Sequence, residues 1–510
     1  MVFCRFAAAF IKVEYYPVCF SQPQGGNMAI ETRMHLLKKR RTKIVATLGP
    51  ATLEPGAIRL LIEAGVNVFR LNMSHGDHEF HRICYQHIRR IAGELKLPIG
   101  VLVDLCGPKI RTGKFRDGQI TLVDRSRVTV TTRDVPGEPG LIPSHYRALT
   151  DDVRPGNRIL LNDGALELSV DAVAGTEITC TVIHGGVLKN HKGMNLPGVN
   201  VSAPSLTEKD RIDAAFALDL GADFLALSFV RSAADVRDLK DLVARTNKSV
   251  CIIAKIEKPE ALDNASEIIE VADGIMVARG DLGVELMPEQ VPVAQSQLID
   301  LAKSRFKPVI VATQMLESMI EHARPTRAEV TDISYAVTLG TDAVMLSAET
   351  ATGAFPVDAV KMMDRIARQT EAYLWKTGAY GNISTTKSAS PVSIWDAISD
   401  TAAQLARDLM VRAILVLSHS GVSAATMSSA RPAAPVVAIT GQPEICRRMT
   451  LLWSVIPVLR EDADTMEPNE LARTVARDLH LANAGEYVLL VRGFHSNPEL
   501  NIPSVTVVTV

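Results

Sequence analysis

The chain pairs none of its cysteines by spacing, has no apolar run of membrane length, and carries no excess of either charge. Seven cysteines (Cys4, Cys19, Cys84, Cys106, Cys180, Cys251, Cys446) include no Cys-x-x-Cys. Several sit in apolar, strand-like surroundings. Buried free thiols in a reducing cytoplasm are therefore expected, not a secreted disulfide framework. No apolar stretch approaches the roughly 18 residues that span a bilayer, so no membrane contact is expected. Lys and Arg number 55 against 57 Asp and Glu, a formal charge of −2. That removes the positive field by which a nucleic-acid binder holds its partner. Internal repeats and low-complexity segments are also missing. What remains is a globular composition, 47% hydrophobic and 22% charged, in a chain long enough for two to four domains.

The first 27 residues, MVFCRFAAAFIKVEYYPVCFSQPQGGN, stand apart. Lys12 and Glu14 interrupt their apolar stretch and no Ala-x-Ala-like cleavage site follows, which argues against a signal peptide. They read as an extension ahead of an initiator at Met28, within an N-terminal segment 1–40.

Eight runs read as strands: TKIVATL, VNVFRL, IGVLVDL, FLALSF, CIIAKIE, GIMVARG, PVIVAT and AVMLSAE. They are apolar on both faces, as parallel strands covered by helices must be. Helix-like stretches such as 208–220 and 289–305 lie between most of them. Eight such units predict an α/β fold, a closed (β/α)8 TIM barrel. The barrel is expected to occupy 41–112 and 202–376. Between its third and fourth strands, 113–201 has short alternating runs and turn signals (FRDGQITLVD, RSRVTVTTRD, RPGNRILLNDGALELSVD, TEITCTVIHGG). That predicts an inserted β-barrel-like domain over the barrel mouth, able to act as a lid. The polar stretch 377–391 reads as a linker, and 392–510 as a C-terminal α/β domain.

Five barrel strands end in residues able to handle phosphate, metal or proton, at the rim where such barrels carry chemistry. Lys255 and Glu257 are two apart and share a strand face. With Asp281 they offer a cation beside two carboxylates, the donor set that suits Mg²⁺ with substrate oxygens. The segment ARGDLGVEL places Gly280 at a helix start, where free N–H groups bind anions. Arg70, Asn72 and Ser74 alternate onto one face; Arg clamps phosphate and the others offer neutral oxygens. Asp104, Lys109 and Arg111 flank a rigid Gly-Pro turn. Thr313 ends the seventh strand and Glu349 follows the eighth, the latter read as structural support. His75 and His78 read as surface histidines. Each feature taken singly also reads as an ion pair, an ordinary turn, an N-cap or a solvated loop. Five polar strand ends at one rim point jointly to metal-assisted chemistry on a small phosphorylated acid.

These motifs resemble the pyruvate kinase family. KIVATLGPA, GVNVFRLNMSHG, GPKIRTG, NLPGV, ALSFVRS, IIAKIEKPEALDN, GIMVARGDLGVE, VATQMLESM, PTRAEVTD and AVMLSAETATGAFP stand in the family's order, over residues 40–510. The resemblance implies an enzyme that moves the phosphoryl group of phosphoenolpyruvate to ADP, giving pyruvate and ATP. Carried over residue by residue, it implies Arg70 on the phosphoryl group and Glu257 and Asp281 on Mg²⁺ (or Mn²⁺). Lys255 would stabilise the transition state, and the backbone at Gly280 and Asp281 would hold the substrate carboxylate. Thr313 would lie near the enolate carbon. Arg111 and Lys192, the latter from GGVLKNHKG, would contact nucleotide phosphates. Asn72, Ser74 and Asp104 correspond to ligands of a monovalent cation. Here the chain departs from the family's commonest pattern, DTKGPEIR, reading Asp104-Leu105-Cys106-Gly107-Pro108-Lys109-Ile110-Arg111. An ammonium in place of the carboxylate is expected to substitute for K⁺, making the enzyme K⁺-independent. LSHSGVSAATMSSARP resembles the family's effector loop, with Ser418, Ser420, Gly421 and Ser423 able to hold the phosphate of a sugar phosphate or nucleotide. A homotetramer is the family's habit. Two rivals remain: a Mg²⁺-dependent aldolase or lyase, which would need no ADP, and a sugar-phosphate sensor without turnover, which would have lost a catalytic group.

Overall fold

The computed structural model describes residues 40–378, 393–494 and 502–510. The expected N-terminal extension, the Met28 initiator and most of the linker at 377–391 lie outside them.

The eight apolar runs are the eight strands of a closed barrel: β1 (Lys43–Thr47), β2 (Val68–Asn72), β3 (Gly100–Asp104), β4 (Phe224–Leu227), β5 (Cys251–Ile256), β6 (Gly274–Ala278), β7 (Val309–Ala312) and β8 (Ala343–Leu346). Each pairs in parallel with the next, and β8 closes on β1. Alternating side chains explain why they are apolar throughout. One set, including Val45, Val68, Leu102, Ile253, Met276 and Ile310, fills the interior. The other, including Ile44, Phe69, Val101, Ile252 and Val277, meets the surrounding helices. Leu451 of the C-terminal domain belongs to the interior cluster too, so that domain seals the end of the barrel opposite the polar rim.

Helices fall where the spacing predicts, at Glu208–Leu220 and Val291–Ser304. Thr207 caps the first by accepting from the Asp210 N–H. After β2 the cap is Asp77, which accepts from Phe80 N at 2.8 Å, so Ser74 is not the N-cap.

The segment between β3 and β4 forms a six-stranded sheet and a two-stranded ribbon. The sheet runs Met194–Asn195, Arg158–Leu161, Leu166–Ala174, Glu177–His184, Arg127–Thr131, Leu141–Pro143, antiparallel except for its last pair. The ribbon pairs Gln119–Leu122 with Gly186–Lys189. They enclose an apolar core of their own, centred on Val130, Ile142, Ile159, Leu168 and Ile178.

The C-terminal domain is a five-stranded sheet of β9 (Ile414–Leu417), β10 (Val436–Thr440), β11 (Val455–Leu459), β12 (Tyr487–Arg492) and β13 (Ser504–Thr509). The order is β11-β10-β9-β12-β13, with only β13 antiparallel. Separate apolar clusters cover its two faces. Arg431 ties this domain to the barrel. It is 1% exposed and donates to Gly340 O at 2.7 Å and Asp342 Oδ2 at 3.0 Å.

Candidate active site

The ends of β2, β3 and β5 and the loop after β4 converge on one buried ionic cluster. Asp104, last in β3, accepts from Arg70 Nε at 2.7 Å and lies 3.3 Å from Lys255 Nζ. Lys255 Nζ also donates to Ser228 Oγ at 2.7 Å and lies 2.8 Å from Glu257 Oε1. The other Glu257 oxygen accepts from Phe229 N at 2.8 Å. Arg70 Nη1 donates to Thr47 Oγ1 at 3.1 Å.

The electrostatics of this cluster are lopsided. Burial opposes the charge of Lys255, but Asp104 and Glu257 outweigh it and hold the ammonium above its ordinary pKa. Burial works against Asp104 as well, yet Lys255 and Arg70 keep it lowered. Glu257 is shifted the other way: burial, and then the nearby Asp281, raise it in spite of Lys255. Two cations, Arg70 and Lys255, thus face three carboxylates, Asp104, Glu257 and Asp281. A divalent cation suits that deficit and relieves the repulsion between Glu257 and Asp281. Among the described residues no group of three or more His, Cys, Asp or Glu side chains could hold a metal by itself. A site of two carboxylates needing substrate oxygens fits this.

Gly280 and Asp281 lie in the short helix Arg279–Glu285 directly after β6. The Gly280 N–H is not free; it donates to Thr313 Oγ1 at 2.6 Å. A Cβ at Gly280 would sit 3.2 Å from that oxygen, so glycine is what lets the helix approach β7. Thr313 has φ 70, a left-handed conformation that a β-branched residue adopts only at a cost. Arg279 holds it there: Nη2 donates to Thr313 O at 2.9 Å. The Thr313 hydroxyl itself donates to Ala312 O at 2.6 Å. A strained hydroxyl is thereby fixed between two rim segments.

Comparison with known proteins gives the family. The family description "pyruvate kinase, barrel domain" matches residues 39–360, and "pyruvate kinase, alpha/beta domain" matches 396–505. The chain belongs to the pyruvate kinase family. Pyruvate kinase 2 of Synechocystis sp. is 45% identical over 460 residues, covering 89% of this chain and 76% of that one. Pyruvate kinase of Geobacillus stearothermophilus is 44% identical, with 89% and 78% covered. The crystal structure of a pyruvate kinase from Cryptosporidium parvum aligns with a TM-score of 0.85 at 35% identity, covering 96% of this chain and 99% of that one. Membership makes this chain a phosphotransferase of glycolysis. The family works with Mg²⁺, phosphoenolpyruvate and ADP, which matches the charge deficit at Glu257 and Asp281.

The remaining sequence-predicted residues surround this pyruvate kinase site unevenly. Asn72 Oδ1 accepts from Ser74 N at 3.1 Å, which closes a tight turn at the end of β2. Lys109 is exposed on the rim and forms no ion pair among the described residues. The His75 imidazole is held below its ordinary pKa by burial and then by Arg111, Lys109 and Arg70. Three cations therefore crowd one side of the rim. Arg111 and Lys192 come together where the chain enters and leaves the inserted domain. Arg111 bridges Gly193, and Thr112 N donates to Lys192 O at 2.9 Å. His78 is no bare surface histidine: it stacks on Phe216 at 4.0 Å and meets Asp213 at 2.8 Å. Glu349 holds backbone, accepting from Leu316 N and Ser347 N.

The C-terminal serines lie at the carboxyl end of β9, where the strand order reverses and open α/β sheets bind ligands. Ser418 is buried, and its hydroxyl has no hydrogen-bond partner among the described residues. Gly421 has φ 88 and caps the helix Val422–Ser429. Ser423 is buried within that helix, and Ser420 is exposed.

Sequence reading missed Thr47, Ser228 and Arg279, which position Arg70, Lys255 and Thr313. It also missed the buried pair Lys258–Glu285, 2.6 Å apart. A polar residue closing an apolar strand was the available signal for Ser228 (ALSF) and Thr47 (IVAT).

Proposed function

We propose that this pyruvate kinase uses Arg70, Lys255, Glu257 and Asp281 to pass the phosphoryl group from phosphoenolpyruvate to ADP. The observation that carries this is the Lys255 ammonium, buried against two carboxylates and kept charged. Glu257 and Asp281 hold Mg²⁺, or Mn²⁺, which when bound supplies positive charge for the substrate oxygens. Arg70, fixed by Asp104 and Thr47, clamps the phosphoryl group. Lys255 offsets charge on the phosphoryl and enolate oxygens, and being preorganised it costs little reorganisation during transfer. The substrate carboxylate takes the Gly280–Asp281 backbone, displacing the Thr313 hydroxyl from the Gly280 N–H. Thr313, so released, lies near the enolate carbon where a proton arrives. Arg111 and Lys192, at the lid junction, take the nucleotide phosphates, and lid closure keeps water from the phosphoryl group.

Three finer readings complete the proposal. Lys109, free of ion pairs and one of three cations near β2, takes over from K⁺ at the Asn72–Ser74–Asp104 site. The unpartnered Ser418 hydroxyl, with Ser420, Gly421 and Ser423, holds the phosphate of an activating sugar phosphate or nucleotide. The chain works as a cytoplasmic homotetramer; exposed Met287, Val293 and Tyr335 on the barrel support self-association, and the free thiols Cys84, Cys106, Cys180, Cys251 and Cys446 suit a reducing compartment.

Pyruvate formation from phosphoenolpyruvate, ADP and Mg²⁺, with and without K⁺, tests the reading. ADP-dependent activity without K⁺ is expected. Product without any need for ADP would point to a lyase.

A further inference from the structure

Glu285 closes the short helix that carries Gly280 and Asp281. Its side chain is 1% exposed and its Oε1 lies 2.6 Å from Lys258 Nζ, itself buried. Lys258 is the residue next to Glu257. One carboxylate therefore staples the segment bearing Glu257 to the helix bearing Asp281.

The same oxygen receives a second donor from outside the barrel. Asn195 Nδ2 approaches Glu285 Oε1 at 3.4 Å, a long hydrogen bond. Asn195 lies in the lid sheet, on the strand that leads back to the barrel. The second oxygen, Glu285 Oε2, is buried and has no hydrogen-bond partner among the described residues. Burying a carboxylate oxygen unsatisfied is costly, so a further donor to this carboxylate would be favourable. The lid meets this helix a second time: a Cβ on Gly164, in a lid turn, would lie 3.7 Å from Val284. Arg231, after β4, anchors the irregular segment that follows this strand by donating to Val201 O and to Ala203 O. The chain leading back to the barrel is thus held firmly at Val201 and Ala203, while Asn195 is weakly held at Glu285.

We propose that Glu285 is a positioning residue that couples the lid to the metal carboxylates: through Lys258 and its own helix it sets the separation of Glu257 and Asp281, and through Asn195 it registers lid closure. The proposal rests on the reading that Glu257 and Asp281 hold the divalent cation. When the lid closes, the Asn195 amide gains a full bond to the Glu285 carboxylate, and the helix with Asp281 is locked in place.

The test is Mn²⁺ binding followed by electron paramagnetic resonance on the full chain with phosphoenolpyruvate and without ADP, combined with steady-state kinetics. E285Q keeps the side-chain volume and loses the charge that holds Lys258. Loss of a group bonded directly to a metal ligand weakens metal binding by about 10- to 100-fold; Glu285 acts one residue further out, through Lys258, and a weakening of about tenfold is expected here. N195A is expected to lower kcat by about tenfold with little change in KM for phosphoenolpyruvate, because the latch acts after substrate has bound. Wild-type Mn²⁺ affinity in E285Q, or wild-type kcat in N195A, overturns the coupling. If E285Q does not fold, as its melting curve will show, E285D carries the same expectation, since it keeps the charge but shortens the reach. E257Q is the control for the underlying reading: if it binds Mn²⁺ as tightly as wild type, the metal site itself is wrong and the coupling falls with it.

Discussion

Replacing Lys255 by methionine removes the one cation that touches both a β3 carboxylate and the Glu257 carboxylate. The wild-type ammonium has Ser228 Oγ at 2.7 Å, Glu257 Oε1 at 2.8 Å and Asp104 Oδ1 at 3.3 Å. Asp104 keeps Arg70 as a partner, but Glu257 is left buried with only the Phe229 N–H and the adverse field of Asp281. Removing one partner of a buried pair costs about 3–5 kcal/mol of stability, lessened here as Glu257 takes up a proton. The catalytic cost is separate. A single preorganised group facing developing charge is worth about 3–4 kcal/mol, or roughly 10²–10³ in kcat. The prediction is therefore a fall of at least that size in pyruvate formation at saturating phosphoenolpyruvate and ADP, with a much smaller change in KM for phosphoenolpyruvate. Lys255→Arg, assayed alongside, keeps the charge in another shape and should retain more activity than methionine. Thermal melting in the same buffer shows whether the fold survives. If a folded Lys255→Met enzyme keeps a kcat within tenfold of wild type, Lys255 is a structural ion and the reasoning is refuted.

Three further predictions follow from other parts of the molecule. Lys43, whose Nζ donates to Val455 O at 2.6 Å, has its pKa lowered to about 7, by burial and then by Arg40. Charging it penalises the folded state, so the penalty is complete below pH 7 and fades as pH rises toward 10.5. Stability should climb across that window by up to about 1.4 kcal/mol per pH unit, and melting curves of Lys43→Met should show a flatter climb; parallel wild-type and variant curves would contradict this. Arg431→Met strips Asp342 and Gly340 O of their buried partner and should destabilise the joint between barrel and C-terminal domain by about 3–5 kcal/mol, seen as a lower calorimetric transition; an unchanged transition would show the joint is held elsewhere. Lys109→Glu should make activity K⁺-dependent, with KCl restoring most of what the substitution removes; a variant indifferent to K⁺ would discard the role given to Lys109.

The barrel was legible because its information is local. Runs such as IGVLVD and GIMVAR are apolar on both faces, and only a parallel strand between an interior and a helix layer uses such a run. The positions of Arg70, Asp104, Lys255 and Glu257 at strand ends were legible for the same reason, since burying unpaired charge inside the strands would cost too much. The inserted domain was legible as hairpins, although its division into a six-stranded sheet and a separate ribbon depends on pairings such as Gly186–Leu122 that span more than sixty residues of chain.

The sequence by itself determined the element order, the apolar layers and the inventory of charged groups at the rim. Only the tertiary structure decided who meets whom: Ser228 and Asp104 with Lys255, Arg279 with the Thr313 carbonyl, Glu285 with Lys258 and Asn195, Leu451 with the barrel interior. Hydrophobic burial is non-directional and reads from periodicity along a few residues. Hydrogen bonds and ion pairs need particular atoms within about 3 Å, and the segments supplying them are set side by side by barrel closure, not by nearness in the chain.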